Sequence, residues 1–323
     1  MAGIPLVLAV PDEERAGALI DGTVRLEGFD LTVLHDWKTV HQRHRGVMFG
    51  EFDAGEICVS ACIHTRFPGQ GEPQLALPIF FMRGFRHRNI LVRKDSGLTG
   101  FAQLAGKKIG LTRDSATTIV WIKGWLEEEY GVRMGDVKWV AADPQYFAGK
   151  RTVSVPLIDS GRPGLLQMLS DGEIDAAIFP GNNDYSSIYG GGSLDKLIAP
   201  YGNLKSMIED PEVILDYYRR GGVLPVIHFV SVKESLVKRY PHLVPELLRA
   251  FRQARKLAPN YGDAGRKREM EEECLVLDRD PYDYRLGEQE AKVLETLMRY
   301  LVEQGYIKKP LALESLFAPG SLD

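Results

Sequence analysis

Hydrophobic positions near the N-terminus fall into an unbroken run, Ile4 to Val10, then the polar stretch PDEERAG, then GFDLTVLHD, where apolar residues alternate behind a glycine turn. An unbroken apolar run of this length predicts a buried strand and an alternating run a half-buried one. With a helix carrying Arg15 to Ile20 between them, the chain opens as a βαβ unit. WKTVHQRHRGVMFG, residues 37 to 50, reads as an amphipathic helix. FDAGEICVSAC then returns through a buried strand whose small residues lead into a helix starting near Ser60.

PIFFMRGFRHRNILVRKDSG reads as a crossing, because a fresh α/β pattern follows it. That pattern runs through the strand KKIGLT, a long helix from about Ser115 to Tyr130, a strand around VKWVAA, a variable loop through DPQYFAGKRT, and the helix-strand pair GLLQMLSDGEIDAAIFP with Gly172 at its turn. GGVLPVIHFVSVKESL supplies a buried strand that returns the chain to the first lobe. Two crossings imply a hinge. The expected division is a discontinuous first lobe, residues 1–93 and 229–323, and a second lobe, residues 94–228. The helices PHLVPELLRAFRQARKLA, REMEEECLVL and GEQEAKVLETLMRYLVEQG are expected to wrap the first lobe, and their apolar faces leave a homo-oligomer open.

At 323 residues the chain is long enough for two lobes of ordinary size. Its 44% hydrophobic and 26% charged residues are those of a soluble globular protein. A net charge of -4 argues against nucleic acid as a partner, since phosphate binding needs a basic face. Every apolar run is broken by charge or glycine before it could span a bilayer, so no membrane is expected. The first run has no basic residue before it and reads as a strand, not a signal peptide. The three cysteines Cys58, Cys62 and Cys274 contain no CxxC pair and suit reduced thiols. Together these features predict a cytoplasmic protein.

Candidate chemistry concentrates at the first crossing, where Arg83, Arg86, His87 and Arg88 gather within six residues. An arginine fork suits a carboxylate, although Arg83 and Arg88 could equally be solvated or paired. His64, His87 and His228 fall at ends of predicted elements facing the expected cleft, and with Glu56 they have the residue types of a metal site. Their spacing matches no metal motif, so none is expected. His35, His41, His44 and His242 sit by pattern on helical or loop surfaces. Glu56 lies in the apolar run GEICVSAC, where an ionised carboxylate needs a cation such as Arg86; it is either a structural ion pair or part of the chemistry. Ser60 at one helix start, and Ser115, Thr117 and Thr118 at another, offer hydroxyls and backbone N–H groups to a dicarboxylate, or simply cap their helices. Asn182, Asn183 and Asp184 follow the strand AAIFP and either meet ligand hydroxyls or shape a turn.

Beyond single residues, the chain resembles the 4,5-dihydroxyphthalate decarboxylase family. The resemblance rests on ALIDGTVRLEGFDL, GEFDAGEICVSACI, PIFFMRGFRHRNILV, AGKKIGL, VWIKGWLEEEYGV, LSDGEIDAAI, GVLPVIHFVSV, VLETLMRYLVEQG and LESLFAPGSL. TRDSATTIVWI departs from it by being more hydroxylated and less bulky, which bears on the exact substrate. The resemblance implies the two-lobed type 2 periplasmic-binding-protein fold with a ligand in the interlobe cleft. It also implies, for aromatic degradation and phthalate catabolism, loss of CO2 from a dihydroxylated aromatic dicarboxylate without a cofactor. In that setting His87 or His228 is expected to exchange the proton, Arg86 to hold the retained carboxylate, and Glu56 to orient the histidine or a substrate hydroxyl. Ser60, His64, Arg83, Ser115, Thr117 and Asn182 complete the expected substrate contacts. A cytosolic solute-binding or ligand-sensing protein of the same fold competes with this reading. So does a menaquinone-pathway enzyme, whereas the cysteine-rich motif of the thiamine-pathway enzymes is missing from CVSAC.

Overall fold

The computed structural model describes residues 3–37, 39–111, 114–141, 161–179, 192–221, 223–262 and 264–322. Its strands follow the apolar runs: Ile4–Ala9 (β1), Phe29–Leu34 (β2), Ala54–Cys58 (β3), Gln74–Ala76 (β4), Met82–Arg83 (β5), Ile90–Arg93 (β6), Lys108–Leu111 (β7), Lys138–Ala141 (β8), Ala176–Ile178 (β9), Leu204–Ser206 (β10) and Val226–Lys233 (β11). They form two separate sheets, one in each of two compact units.

The first unit comprises residues 1–83, 226–291 and 311–323. Its sheet runs β2-β1-β3-β11-β4, with β5 also paired to β11. The opening βαβ pattern gives the parallel pairs β1–β2 and β1–β3, while β11 enters antiparallel to β3, β4 and β5. Buried from Val226 to Val232, β11 is rich in β-branched residues, as a strand covered on both faces requires. Phe251 of the helix Leu243–Leu257 meets Phe81 edge-on at 5.7 Å, closing part of this core.

The second unit comprises residues 84–225 and 292–310, with sheet order β10-β6-β9-β7-β8. Strand β6 pairs antiparallel with β9 and β10, and β7 pairs parallel with β8 and β9. Leu91, Ala177 and Phe179 of its core lie against Leu165, Leu166 and Leu169. Gly172 has φ +80° between the helix Gly161–Ser170 and β9, a left-handed turn that glycine adopts without a Cβ penalty.

The division differs from the expected boundaries at three places. Strand β6 was expected in the first lobe, yet its ladder partners place it in the second unit's sheet; His228, expected at the end of the second lobe, lies in β11 of the first. The last long helix, Glu288–Glu303, does not belong wholly to the first unit, because residues from Lys292 onward pack in the second. Trp121 meets Tyr300 edge-on at 5.5 Å, and Gln304 donates to the Val120 carbonyl at 2.9 Å. No helix among the described residues is long and apolar enough to cross a membrane.

Candidate active site

Side chains alternate across a strand, so Glu56 and Cys58 of β3 share one face with His228 and Val230 of β11, in a register that pairs Cys58 with His228 and Glu56 with Val230. Glu56 is thereby a diagonal neighbour of His228. The third contributor is the helix Val40–Met48, started by Thr39, whose hydroxyl accepts the Gln42 N–H at 3.2 Å. Arg43, His44, Val47 and Met48 form its buried face, spaced one and four residues apart. Helix and strand approach closely because Gly55 has no side chain: a Cβ there would stand 2.6 Å from Cγ2 of Val47. Gly46 plays the same part against Phe52, whose ring would lie 2.0 Å from an added Cβ.

The result is a buried network centred on Glu56. Its Oε2 accepts from Arg43 Nε at 2.9 Å and Arg43 Nη2 at 2.6 Å, and lies 2.9 Å from His44 Nε2. Its Oε1 lies 2.6 Å from His228 Nδ1. The His44 and His228 rings meet edge-to-face at 4.5 Å. Side-chain exposure rises from 0% at Glu56 and 1% at Arg43 to 6% at His44 and 10% at His228, which makes His228 the member nearest solvent. Burial by itself would raise the Glu56 carboxyl, but Arg43, then His228 and His44, outweigh it and hold the group well below the usual carboxylate range. Burial pushes the His44 imidazole down to about 3 against the pull of Glu56. The core of the site is therefore a carboxylate, a guanidinium and a neutral imidazole, with His228 at its edge.

Of the residues singled out from sequence, Glu56 and His228 are brought together. Ser60 follows in the short helix Val59–Thr65, whose N-cap position is held by Cys58 without a side-chain capping bond, and its hydroxyl lies 3.5 Å from the Cys58 sulfur. His64 lies in the last turn of that helix, and burial pushes its imidazole down to about 4. Arg83 is not placed for a substrate: it is 4% exposed, and its terminal nitrogens bond Glu290 at 2.8 Å and the Pro281 carbonyl at 3.1 Å, a structural ion pair of the first unit.

The remaining predicted residues belong to the second unit. His87 is corrected most. It is 1% exposed, stacked on Trp125 at 4.5 Å and 14°, and enclosed by Tyr217, Phe101 and Phe85. Neither ring nitrogen has a hydrogen-bond partner among the described residues or reaches solvent, and burial, with Arg220 adding to it, pushes the imidazole down to about 3. Such a ring is a component of an aromatic core and presents no nitrogen to a substrate. Arg86, adjacent in sequence, is buried at the start of the turn His87–Asn89. Arg88 pairs with Asp195 at 3.5 Å. Ser115 and Thr117 are buried at the start of the helix Thr117–Tyr130, where Ala116 holds the N-cap position without a side-chain hydrogen bond. Asn182, with Asn183 and Asp184, lies outside the described residues.

Arg43 and His44 are the functional-type residues that the sequence reading missed, having assigned His44 to a surface. The signal was present in HQRHRGVM, where Val47 and Met48 lie one turn beyond Arg43 and His44 and mark the same buried face. His44, Glu56 and His228 hold ligand-type atoms within 4.8 Å of one another, the residue types of a cation site. The donor set fits a hydrogen-bonded network better than a metal centre, because the Arg43 guanidinium occupies the carboxylate oxygen that His44 also meets and would repel a dication there.

No protein-family model matches the chain. A 4,5-dihydroxyphthalate decarboxylase of Comamonas testosteroni is 28% identical over 342 aligned positions, covering 100% of this chain and 99% of that protein. Another from Pseudomonas putida is 31% identical over 188 positions, 56% of this chain and 72% of that protein. Among solved structures, the periplasmic aliphatic sulphonate binding protein SsuA of Escherichia coli superposes with a TM-score of 0.60 at 12% identity, over 98% of this chain and 92% of its own. That likeness gives the fold, a two-lobed α/β architecture of the type 2 periplasmic-binding-protein kind. The relatives give the lineage: the chain belongs to the 4,5-dihydroxyphthalate decarboxylase family and is a carboxy-lyase.

Proposed function

We propose that the chain decarboxylates a dihydroxylated aromatic dicarboxylate, 4,5-dihydroxyphthalate in the first instance, to a dihydroxybenzoate and CO2, with His228 exchanging the proton. The observation that carries the residue assignment is the 2.6 Å contact between His228 Nδ1 and Glu56 Oε1 at the most exposed edge of an otherwise buried network.

In this substrate each carboxylate lies para to a hydroxyl. Loss of the hydroxyl proton pushes electron density onto the ring carbon bearing the carboxylate. That carbon takes a proton, the bond to the carboxylate breaks, and its electron pair restores the aromatic ring and the phenolate as CO2 departs. The ring itself is the electron sink, so the chemistry asks the protein for one positioned acid–base group, and histidine titrates in the required range. Glu56 accepting from Nδ1 selects the tautomer whose Nε2 takes up and returns the proton.

A cytoplasmic location forms part of this proposal, supported by the three unpaired thiols Cys58, Cys62 and Cys274. The test is to incubate the purified protein with 4,5-dihydroxyphthalate, with phthalate isomers carrying other hydroxyl patterns, and with aliphatic sulfonates, following CO2 and the dihydroxybenzoate. Release of CO2 from the 4,5-isomer that is lost in His228→Gln is expected. Turnover of another hydroxylated acid in its place would overturn the substrate, and full activity of His228→Gln the proton assignment.

A further inference from the structure

We infer that Arg43 and His44 are positioning residues for His228 and act through Glu56, by fixing one carboxylate oxygen so that the other holds the His228 ring in a single tautomer and orientation. The inference rests on the proton-exchange reading of His228 and extends it to two residues that make no contact with the reacting atoms.

A glutamate side chain has three rotatable bonds, and a carboxylate held at one oxygen alone would swing against an imidazole. Here Oε2 is met by both Nε and Nη2 of Arg43 and by Nε2 of His44, three directions that leave the carboxylate plane no rotation. Oε1 is thereby aimed at His228 Nδ1. Because Oε2 is an acceptor, His44 carries its proton on Nε2. The edge-to-face packing of the two imidazoles also limits tilting of the His228 ring. Arg43 has a second effect: its fixed positive charge, 2.6 Å from Oε2, keeps Glu56 ionised and so an acceptor. The depressed carboxyl of Glu56 agrees with this. Second-layer groups of this kind set which imidazole nitrogen is protonated.

The variants His44→Leu, His44→Gln and Arg43→Lys, with His228→Gln for assignment, separate this role from simple packing. Glutamine can donate to Oε2 from nearly the same place; lysine keeps the charge but loses the fork. The readouts are the imidazole 15N shifts of His228 in histidine-labelled protein and the kcat and KM for 4,5-dihydroxyphthalate. The expected result is a mixed His228 tautomer in His44→Leu and Arg43→Lys, with kcat lower by about 10- to 100-fold, the rate equivalent of one charge-assisted hydrogen bond. KM should stay within about threefold, since neither residue adds ground-state binding. His44→Gln should restore the Nδ1-protonated tautomer and most of kcat. An unchanged tautomer in both His44→Leu and Arg43→Lys, or a His44→Gln no better than His44→Leu, overturns the inference. Undiminished kcat in His228→Gln would instead remove the proton-exchange reading, while the tautomer shifts would still decide whether Arg43 and His44 position the ring.

Discussion

Replacing His87 by leucine tests the reassignment of that residue from chemistry to core. In the folded protein the imidazole titrates near 3, whereas an unfolded chain binds its proton at the ordinary value of 6.5. Between those values the unfolded state holds more protons, so stability falls as pH falls below about 6.5 and the loss is complete only near 3. At pH 5 the difference is about 1.5 pH units at about 1.4 kcal/mol each, or roughly 2 kcal/mol relative to pH 7.5. For a unit of this size that corresponds to about 4–8 °C in Tm. His87→Leu removes this penalty. At neutral pH the variant gains about 1–3 kcal/mol by deleting two buried nitrogens that have no hydrogen-bond partner among the described residues and loses about 0.5–1.5 kcal/mol of stacking on Trp125, so it should be no less stable than the parent. Calorimetric melts at pH 7.5 and 5, with turnover measured in parallel, give the answer. A variant that keeps the parent's acid sensitivity, or that melts normally yet loses more than about tenfold in kcat, refutes the reasoning.

Three further variants have outcomes set by the packing and charges described above. Glu56→Gln removes the carboxylate charge that the buried Arg43 guanidinium contacts at 2.6 Å and should cost about 3–5 kcal/mol by urea unfolding, with kcat reduced by about 10²–10⁴-fold. The stability lent by the lowered carboxyl of Glu56 is fully present above the ordinary carboxylate value of 4.5 and is lost as pH falls through the folded-state value, so the gap between parent and Glu56→Gln should narrow in acid. Gly55→Ala drives a Cβ into Val47 and the Ala9 carbonyl, each 2.6 Å away; about 1–3 kcal/mol of destabilisation and a drop in kcat are expected as the helix bearing Arg43 and His44 moves off. Gly124→Ala gains about 1 kcal/mol of helix propensity but places a methyl 2.2 Å from the Tyr300 ring, where overpacking of about 1–3 kcal/mol wins, so Tm should fall without loss of kcat in the folded fraction.

Local pattern determined a good deal. The run Ile4 to Val10 and the alternation in GFDLTVLHD specify their strands, because which faces are buried decides the spacing of apolar side chains; the isolation of Glu56 in GEICVSAC marks it as a buried acid that must find a cation. The identity of that cation was not local. Arg43 is thirteen residues away on a helix whose buried face could be seen in Val47 and Met48, but whose seat against β3 is set by the contacts of Gly46 and Gly55. His228 lies 172 residues from Glu56, and only the antiparallel register of β11 on β3 makes them neighbours. His87 misled for the converse reason: its chain neighbours Arg86 and Arg88 suggested an electropositive site, while the side chains around the ring itself are aromatic and come from distant segments. Sequence spacing fixes which residues share one helix face or one strand face. Which two faces meet, and so which charges share a low-dielectric site, is decided only when the sheet and its covering helices close around them.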